Sequence, residues 1–553
     1  MTFSLKKTIR DNSLSSVFIL GGSAAVIFFI IVFGFRVLDP QYDAWLFHGR
    51  NREDLIQHYL GWLLYRKSDW HFPITLIDNI SSSGKIPVVY MDSIPLLAVF
   101  FKIFSPVLPA TFQYFGIYGL ICYFLMGGFS AITVFRLTDD KSYSVISSLL
   151  MSASFPMIFR TFWHTALGAH WLVAASLYLL LVNDKRSALR SSVYWGVLAF
   201  LAVSIQAYFL PMVFISMLFA VILDLVLNGK DRWKKALLNI AVFFASMLLT
   251  AWLLGFFYGS VSNVGDYLGY YSFNYNAFFN TLGLSLFFKG LPLFFVGQYE
   301  GYAYPGLGVY VLFILSLIFR LRSKDKSRLF PRDKSALLVM YAIAFVVFAG
   351  SNILTFGEQY ILIPIPQMIL SIWQLFRSSG RMIWPVFYLG ICLILVAFCR
   401  SCKDKRIKTI VIVLCLACHF VEFSPYIRAV HRQYYPRYET YSPFEDDAWD
   451  TIASSYDHIY ICFGSQNMYL DSNLKKECLE VTYFACEHDM DMNTTYLSRD
   501  NTEQVNEEAR RMISSGALPE DTVFVFLDKE DTMGMDLNFY ELDGILIGTV
   551  EPL

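Results

Sequence analysis

Long apolar runs alternate with short polar segments along the first three quarters of the chain. Runs near the length that an α-helix needs to cross a bilayer, about 20 residues, lie at 16–36, 110–136, 143–160, 166–182, 191–208, 209–227, 234–257, 305–321, 335–351, 383–399 and 407–424. The pattern therefore predicts about eleven transmembrane helices. Shorter or interrupted apolar segments at 94–105, 270–296 and 360–376 are expected to be re-entrant or interfacial.

The composition supports a polytopic membrane protein. Of 553 residues, 56% are hydrophobic and 16% are charged, whereas roughly a quarter of a soluble chain is charged. A net charge of −1 gives no reason to expect a nucleic-acid partner. The first apolar run is longer than the core of a cleavable signal, so we interpret it as a retained span.

Charge asymmetry predicts the orientation. With the N-terminus in the cytoplasm, the inner segments before residue 425 hold 24 Lys and Arg and the outer segments hold 11. Cytoplasmic loops carry an excess of basic residues. An odd number of spans then places the C-terminus outside the cell, and a long first outer loop covers 37–93.

The last part of the chain reads as a soluble α/β domain. Residues 1–424 form the predicted membrane domain and 425–553 the predicted outer domain, with strands at 457–463, 522–528 and 543–550 and a helix at 502–516. This domain has 25 acidic and 9 basic residues, a net charge of −16. We expect it to stand away from an anionic membrane surface.

The segment "NREDLIQHYLGWLLYR", residues 51–66, predicts a short helix at the outer surface. At about 100° per residue, Asp54 and His58 share its polar face. A desolvated carboxylate at such a place suits a general base, and Asp43 in the same loop is a second candidate. The alternative is that Asp54 pairs with His58 or Arg50 and only anchors the helix.

The segment "LFRSSGRMIWP", residues 375–385, carries positive charge on a predicted outer segment. If it is helical, Arg377 and Arg381 face the same way. Two guanidiniums can bind a phosphate through paired hydrogen bonds, and Gly380 permits close approach. The alternative is a pair of arginines reaching lipid headgroups.

Three further charged groups flank apolar segments. Asp92 precedes a short apolar segment that ends at Lys102. Asp92 is either a helix N-cap or a site residue, and Lys102 either extends to the headgroups or binds a lipid phosphate. Arg160, His164 and His170 lie at one predicted turn. No carboxylate or cysteine has matching ligand spacing, so a divalent metal is possible but unsupported and we predict no cofactor.

Two glycine-rich, aromatic segments at 265–276 and 297–308 have the composition of a sugar-binding surface. Sugars stack on aromatic faces and exchange hydrogen bonds with amides and carboxylates. The candidate sugar-binding or acceptor-binding residues, together with Asp92 and His164, are Asp266, Asn274, Glu300 and Tyr302. The alternative is an aromatic belt at the membrane interface, which needs no ligand.

The motifs "DLIQHYLGW" (54–62), "MDSIPLLAVFFK" (91–102), "FQYFGIYGLICYFL" (112–125) and "FRSSGRMIWP" (376–385) resemble an uncharacterised bacterial family of polytopic membrane proteins, a domain of unknown function. The architecture also resembles the GT-C superfamily of glycosyltransferases. Those enzymes have a long first outer loop with interfacial helices and an acidic residue, and often a C-terminal outer domain. This chain lacks a clear Asp-x-Asp in that loop, which leaves metal dependence unsupported.

The resemblance implies a GT-C-like fold in the bacterial cytoplasmic membrane and transfer of a sugar from a polyprenyl-phosphate-linked donor to an envelope glycan or lipid. Asp54 is then the first candidate for general base, with His58 orienting or relaying. The implied ligands of the donor phosphate are Arg377 and Arg381, helped by Lys102 or Arg160. The alternatives are a polysaccharide polymerase or ligase, a transporter or flippase of lipid-linked glycans, and a non-catalytic scaffold. Transport is disfavoured because the predicted spans carry almost no charge near their centres.

Overall fold

We analysed a computed structural model of the chain. It describes residues 2–48, 52–80, 84–182, 186–258, 268–322, 328–464, 471–498, 502–516 and 518–553. Two residues named above lie outside the described residues. They are Asp266, a candidate sugar-binding residue, and Arg50, a suggested partner of Asp54.

Helices dominate the part before residue 435. They are α1 Thr2–Phe33, α2 Ala44–Phe47, α3 Arg52–Lys67, α4 Pro95–Lys102, α5 Phe115–Thr138, α6 Lys141–Ser152, α7 Phe155–Phe162, α8 Trp171–Leu181, α9 Ala188–Ile205, α10 Phe209–Asn228, α11 Trp233–Leu253, α12 Leu307–Arg322, α13 Arg332–Gly350, α14 Gln367–Gln374, α15 Trp384–Ser401, α16 Lys405–Glu422 and α17 Ser424–Tyr434. Two antiparallel strand pairs join them, β1 Leu76–Ile77 with β2 Ile86–Pro87 and β3 Ile353–Phe356 with β4 Gln359–Leu362.

Within the described residues, seven helices are long and apolar enough to cross a membrane, or up to nine if each of two bent pairs is one span. The predicted count of about eleven is therefore too high. The run at 143–160 breaks into α6 and α7 with a 55° bend, and the run at 305–321 forms a helix of 16 residues. The length of an apolar run in the sequence reflects composition alone, so it does not show where a helix ends. The apolar helices indicate a membrane protein.

The basic segment at 399–408, which is predicted to be inner, lies at the end of α5 that is away from the first loop. There Lys408 contacts Asp140 at 2.7 Å, and Arg400 donates to the carbonyls of Leu137 and Leu329. These contacts join the ends of α5 and α15 that are remote from the first loop. Which side of the membrane this end faces remains a prediction.

The C-terminal part is a small α/β unit. Its elements are α18 Ala448–Ser455, β5 His458–Cys462, α19 Ser472–Glu487, β6 Asp491–Met492, α20 Thr502–Ser515, β7 Thr522–Phe526, β8 Asn538–Leu542 and β9 Ile545–Thr549. The described strands form one sheet in the order β6-β5-β7-β9-β8, in which β6, β5 and β7 are parallel. The predicted strands and the predicted helix are all present, the helix ending before Gly516 at φ +67°.

The α/β unit packs directly on the first loop. Met492 N–H donates to the carbonyl of Asn79 at 3.1 Å, and Ser498 N–H donates to Tyr90 at 2.8 Å. Helix α19 lies against α3. Because α3 also packs on α2 and α4, its residues from Leu55 to Tyr65 are buried. The predicted helix is present and the C-terminal domain covers part of it; its place at the membrane interface stays a prediction.

Candidate functional site

The first turn of α3 places Asp54 beside a histidine from a distant segment. Asp54 Oδ2 lies 3.2 Å from His164 Nε2, and both side chains are about a quarter exposed, 22% and 24%. Burial raises the pKa of Asp54 to about 7, with further contributions from the carboxylates of Glu53 and Asp92; Arg160 and Lys475 oppose the increase. A carboxyl group with this pKa is partly ionised near neutral pH and can both accept and return a proton.

The histidine beside Asp54 is held neutral. Burial lowers the pKa of His164 well below its usual value, and the positive charges of Arg381 and Arg160 lower it further. A neutral imidazole at 3.2 Å can hydrogen-bond the carboxyl group without neutralising it. The contact therefore orients Asp54 and leaves its proton affinity high.

His58 follows Asp54 by one helical turn. Its ring lies 6.2 Å from the ring of His164, measured between centroids. Burial lowers the pKa of His58 to about 3, and neither ring nitrogen has a hydrogen-bond partner among the described residues. Buried polar groups are normally satisfied, so His58 offers a donor and an acceptor to a ligand or a water molecule.

A buried ion cluster contains three residues from three segments. Arg381 Nε and Nη2 donate to the two carboxylate oxygens of Glu300, each at 2.9 Å. Arg160 Nη2 also donates to Glu300. All three side chains are buried. Two guanidiniums share one carboxylate, so the cluster carries a charge of +1.

Arg160 retains binding capacity in this cluster. Its Nη1 has no hydrogen-bond partner among the described residues. Its guanidinium lies over the ring of Phe159 at 4.6 Å, as that of Arg381 lies over the ring of Tyr208 at 4.6 Å. A buried cluster with excess positive charge and an N–H without a partner can bind an anionic group.

Two glycines bring the segments of the cluster together. Glu300 lies on a 3₁₀ helix, Val296–Gly301, and Arg381 on another, Ser379–Ile383. A Cβ on Gly380 would come within 2.8 Å of the Tyr271 carbonyl oxygen and 2.9 Å of the Gly301 nitrogen. At Gly380 the chain thus passes close to the backbone of Tyr271 and Gly301. This close approach places Arg381, the next residue, beside Glu300.

Arg377 and Arg381 do not share a helix. Arg377 follows α14 in a turn, and Arg381 lies in the next 3₁₀ helix. Both nevertheless lie close enough to His164 to lower its pKa. The expectation of a common helix face is wrong, but the fold brings both cations to the same place as Asp54 and His164.

Asp92 also reaches this region. It accepts a hydrogen bond of 3.1 Å from Gln206 Nε2, and its charge contributes to the raised pKa of Asp54. The N-cap of α4 is Ile94, without a side-chain cap. The interpretation of Asp92 as that cap is therefore wrong.

Two other predicted site residues, Asp43 and Lys102, are engaged by partners outside the cluster. Asp43 accepts a hydrogen bond of 2.9 Å from Tyr59, and burial raises its pKa to about 6. Lys102 donates to the Asp69 carbonyl and lies over the rings of Tyr65 and Trp70. Tyr65 is eleven residues after Asp54 on α3, or about 16 Å along the helix axis.

The remaining candidates belong to the packing around the cluster. The side-chain amide of Asn274 donates to Gln298 Oε1 and to the Gly357 carbonyl, and its oxygen accepts from the backbone N–H groups of Asn276 and Gly357. Tyr302 is buried against Phe155, with ring centroids 4.4 Å apart. His170 contacts the Tyr388 hydroxyl at 3.0 Å. No group of three potential metal ligands occurs within the described part of the chain.

The C-terminal domain adds residues that the sequence did not reveal. Gln57 Nε2 donates to the Tyr496 carbonyl at 3.1 Å. The charges of Asp54 and Arg377 act on the pKa of Tyr496, which burial raises, and Lys475 lowers the pKa of Asp54. No local motif marks these residues, because their role depends on how α19 and the segment after β6 pack on α3.

Fold and site together define a multi-helix membrane-type protein in which an α/β domain closes a buried, charged site at one end of an apolar bundle. The chain belongs to the family described as domain of unknown function (DUF6311), which matches residues 22–424, and residues 448–550 match the DUF6311 C-terminal domain. The expected membership in an uncharacterised family is confirmed. No curated protein matches the chain.

Proposed function

We propose that this protein is a GT-C-like glycosyltransferase of the bacterial cytoplasmic membrane. It transfers a sugar from a polyprenyl-phosphate-linked donor to an envelope glycan or lipid, with its N-terminus in the cytoplasm and its C-terminal domain outside. The observation that carries the proposal is a carboxyl group with a pKa of about 7 near a buried cluster that carries excess positive charge. Base and phosphate-binding groups thus occur together at one end of an apolar bundle.

Asp54 is the general base in this mechanism. Its carboxylate takes the proton from an acceptor hydroxyl as the hydroxyl oxygen attacks the anomeric carbon of the donor. The bond between that carbon and the phosphate oxygen breaks, and the electron pair leaves with the lipid phosphate. Positioned general bases contribute about 10²–10⁴-fold to rate.

The arginines stabilise the leaving phosphate. Arg160 offers an unused N–H, and the cluster of Arg160, Arg381 and Glu300 retains a charge of +1. Arg377 adds a second cation near His164. Fixed donors placed where negative charge develops give electrostatic stabilisation without reorganisation.

The two histidines position the reacting groups. His164 contacts the Asp54 carboxyl group and holds its orientation. His58 has two unsatisfied ring nitrogens near this contact and supplies hydrogen bonds to a sugar hydroxyl. Lys102 and Asp43 have no part in this mechanism, because Lys102 contacts Asp69 and two aromatic rings and Asp43 is hydrogen-bonded to Tyr59.

Sugar transfer in nanodiscs tests the proposal. Purified protein is supplied with radiolabelled polyprenyl-phosphate hexoses and with envelope material from cells lacking the protein. Asp54→Asn is expected to lose at least about 10²-fold in rate, and Arg377→Ala to lose rate as well. Asp39→Asn is the matched control, because Asp39 is an exposed carboxylate of the same loop.

The outcomes separate the assignments. Transfer that survives Asp54→Asn would remove Asp54 as base. A ladder of products instead of single additions would identify the alternative polymerase activity. The same protein is also reconstituted into lipid vesicles. Movement of the labelled lipid across the vesicle membrane, without a transfer product, would identify a flippase.

A further inference from the structure

A pocket lies at the junction of the first loop and the C-terminal domain. Its volume is about 230 Å³. Its lining comes from the first loop, from the segment before α18 and from one face of α19, and includes Phe47, Glu53, Tyr441, Lys476, Glu480 and Tyr483. Neither the proposed base nor the arginine cluster lines it, so it is a second site.

Aromatic rings form one wall of the pocket. Phe47 and Tyr441 stack in parallel, with centroids 4.5 Å apart and an angle of 6° between the rings. Tyr483 packs on Phe47 at 4.5 Å. Phe47 and Tyr483 are buried, which fixes the wall before a ligand arrives. A rigid aromatic surface of this kind suits the apolar C–H face of a pyranose ring.

Polar groups of both signs surround the aromatic wall. Glu480 accepts a hydrogen bond of 2.6 Å from the Tyr441 hydroxyl and lies 3.4 Å from the Lys476 ammonium. Glu53 adds a second carboxylate, and Asn473 an amide. Carboxylates, an amide and an ammonium together accept from and donate to sugar hydroxyls.

The charge of the pocket selects a neutral ligand. Two carboxylates and one ammonium line it, and the domain that supplies α19 has a net charge of −16. A phosphate or a uronic acid would meet repulsion there. A neutral hexose or hexosamine would not.

The pocket adjoins the proposed reaction centre. Glu53 lines the pocket and directly precedes Asp54, and its charge contributes to the raised pKa of Asp54. We propose that this pocket binds a neutral hexose or hexosamine unit of the acceptor glycan and so holds the acceptor next to Asp54. The acceptor assignment rests on the proposed function, whereas sugar binding at the pocket does not.

Saturation-transfer NMR on the full-length protein tests the inference without a donor. The probes are glucose, galactose, mannose and N-acetylglucosamine, with glucuronate as the charged counterpart of glucose. We expect saturation of the ring C–H protons of at least one neutral sugar, and binding about tenfold weaker for glucuronate. Tyr441→Ala removes a stacking surface and is expected to weaken binding about tenfold.

Matched variants keep the test specific. Phe539→Ala removes an exposed ring on β8 that does not line the pocket and is expected to leave the sugar signal unchanged. Tyr441→Phe keeps the ring and removes the hydroxyl that bonds Glu480, so it preserves most of the signal and controls for misfolding of the alanine variant. Absence of signal for all four neutral sugars, or an equal signal in Tyr441→Ala, would overturn the proposal.

The two proposals fail separately. Asp54→Asn is expected to keep the sugar signal while losing transfer. If the protein gives a sugar signal but transfers no sugar, sugar binding at the pocket is supported and the glycosyltransferase proposal is rejected. If the protein transfers sugar but gives no sugar signal, only the pocket proposal is rejected.

Discussion

The buried cluster of Arg160, Glu300 and Arg381 leads to a prediction that follows from its charges. Glu300 accepts two hydrogen bonds of 2.9 Å from Arg381 and another from Arg160. Glu300→Gln removes the negative charge and leaves two buried guanidiniums facing a neutral amide. Removing one partner of a buried ion pair costs about 3–5 kcal/mol. We therefore expect Glu300→Gln to lower the free energy of unfolding by at least about 3 kcal/mol.

Arg160→Met is the matched comparison. It removes the guanidinium that makes the cluster +1 and leaves the two-hydrogen-bond pair of Arg381 with Glu300 intact, so the charge falls to zero. No buried charge is then left without an opposite partner, so we expect Arg160→Met to be less destabilising than Glu300→Gln. The double variant Glu300→Gln/Arg160→Met leaves one unpaired cation instead of two and should be more stable than Glu300→Gln alone.

The apparent melting temperature in detergent measures these differences, followed by the fluorescence of the 11 tryptophans. We expect Glu300→Gln to melt about 3 °C or more below Arg160→Met. A melting temperature for Arg160→Met at or below that of Glu300→Gln would refute the argument from charge imbalance. Equal melting temperatures for Glu300→Gln and the double variant would show that the two arginines do not repel each other.

Three further predictions concern the same region. The transfer rate should rise with pH around a midpoint near 7, because the proposed base is ionised above the raised pKa of Asp54; a flat profile from pH 5 to 9 would contradict this. Lys475→Ala should move that midpoint to higher pH, since Lys475 lowers the pKa of Asp54, whereas Lys529→Ala should not. Gly380→Ala should lower the melting temperature because its Cβ would meet backbone at 2.8 Å, while Gly390→Ala, with open space around the Cβ, should not. Equal melting temperatures of these two alanine variants would contradict the close approach.

The same pKa shift has a consequence for stability. The folded protein binds the Asp54 proton more tightly than the unfolded chain, because the pKa is raised from 3.8 to about 7. Stability from this group is therefore present at low pH and is lost as the pH rises between those values. The raised pKa of Asp54 favours proton transfer near neutral pH. It lowers the free energy of unfolding at alkaline pH, where the buried carboxylate is ionised.

Local patterns in the sequence predicted the elements that carry the site. The helical period predicted α3 with Asp54 and His58 one turn apart, and apolar runs predicted β5, β7 and β9. These features depend on neighbouring residues, so a single sequence contains them. The broken helix between α6 and α7 was missed because an apolar run is equally compatible with a straight or a bent span.

The contacts that make the site lie between residues far apart in the chain. The sequence suggested His58 or Arg50 as an alternative partner of Asp54, and in the structure Asp54 contacts His164 at 3.2 Å. Glu300 was grouped with sugar-binding residues, and its partners are Arg160 and Arg381, which were assigned to phosphate. Long-range charge pairing leaves no periodic signal. The glycine at 380 was the one local indication that two segments meet there.

The C-terminal domain contributes to the surroundings that set the pKa of Asp54. Helix α19 covers α3, and burial is the largest cause of the raised pKa. The acidic domain also brings Lys475 toward Asp54, which opposes that increase. The carboxylates of Glu53 and Asp92 raise the pKa further, and the guanidinium of Arg160 opposes them together with Lys475. The balance leaves the pKa of Asp54 at about 7, where a carboxyl group can accept a proton from the proposed acceptor hydroxyl and release it again.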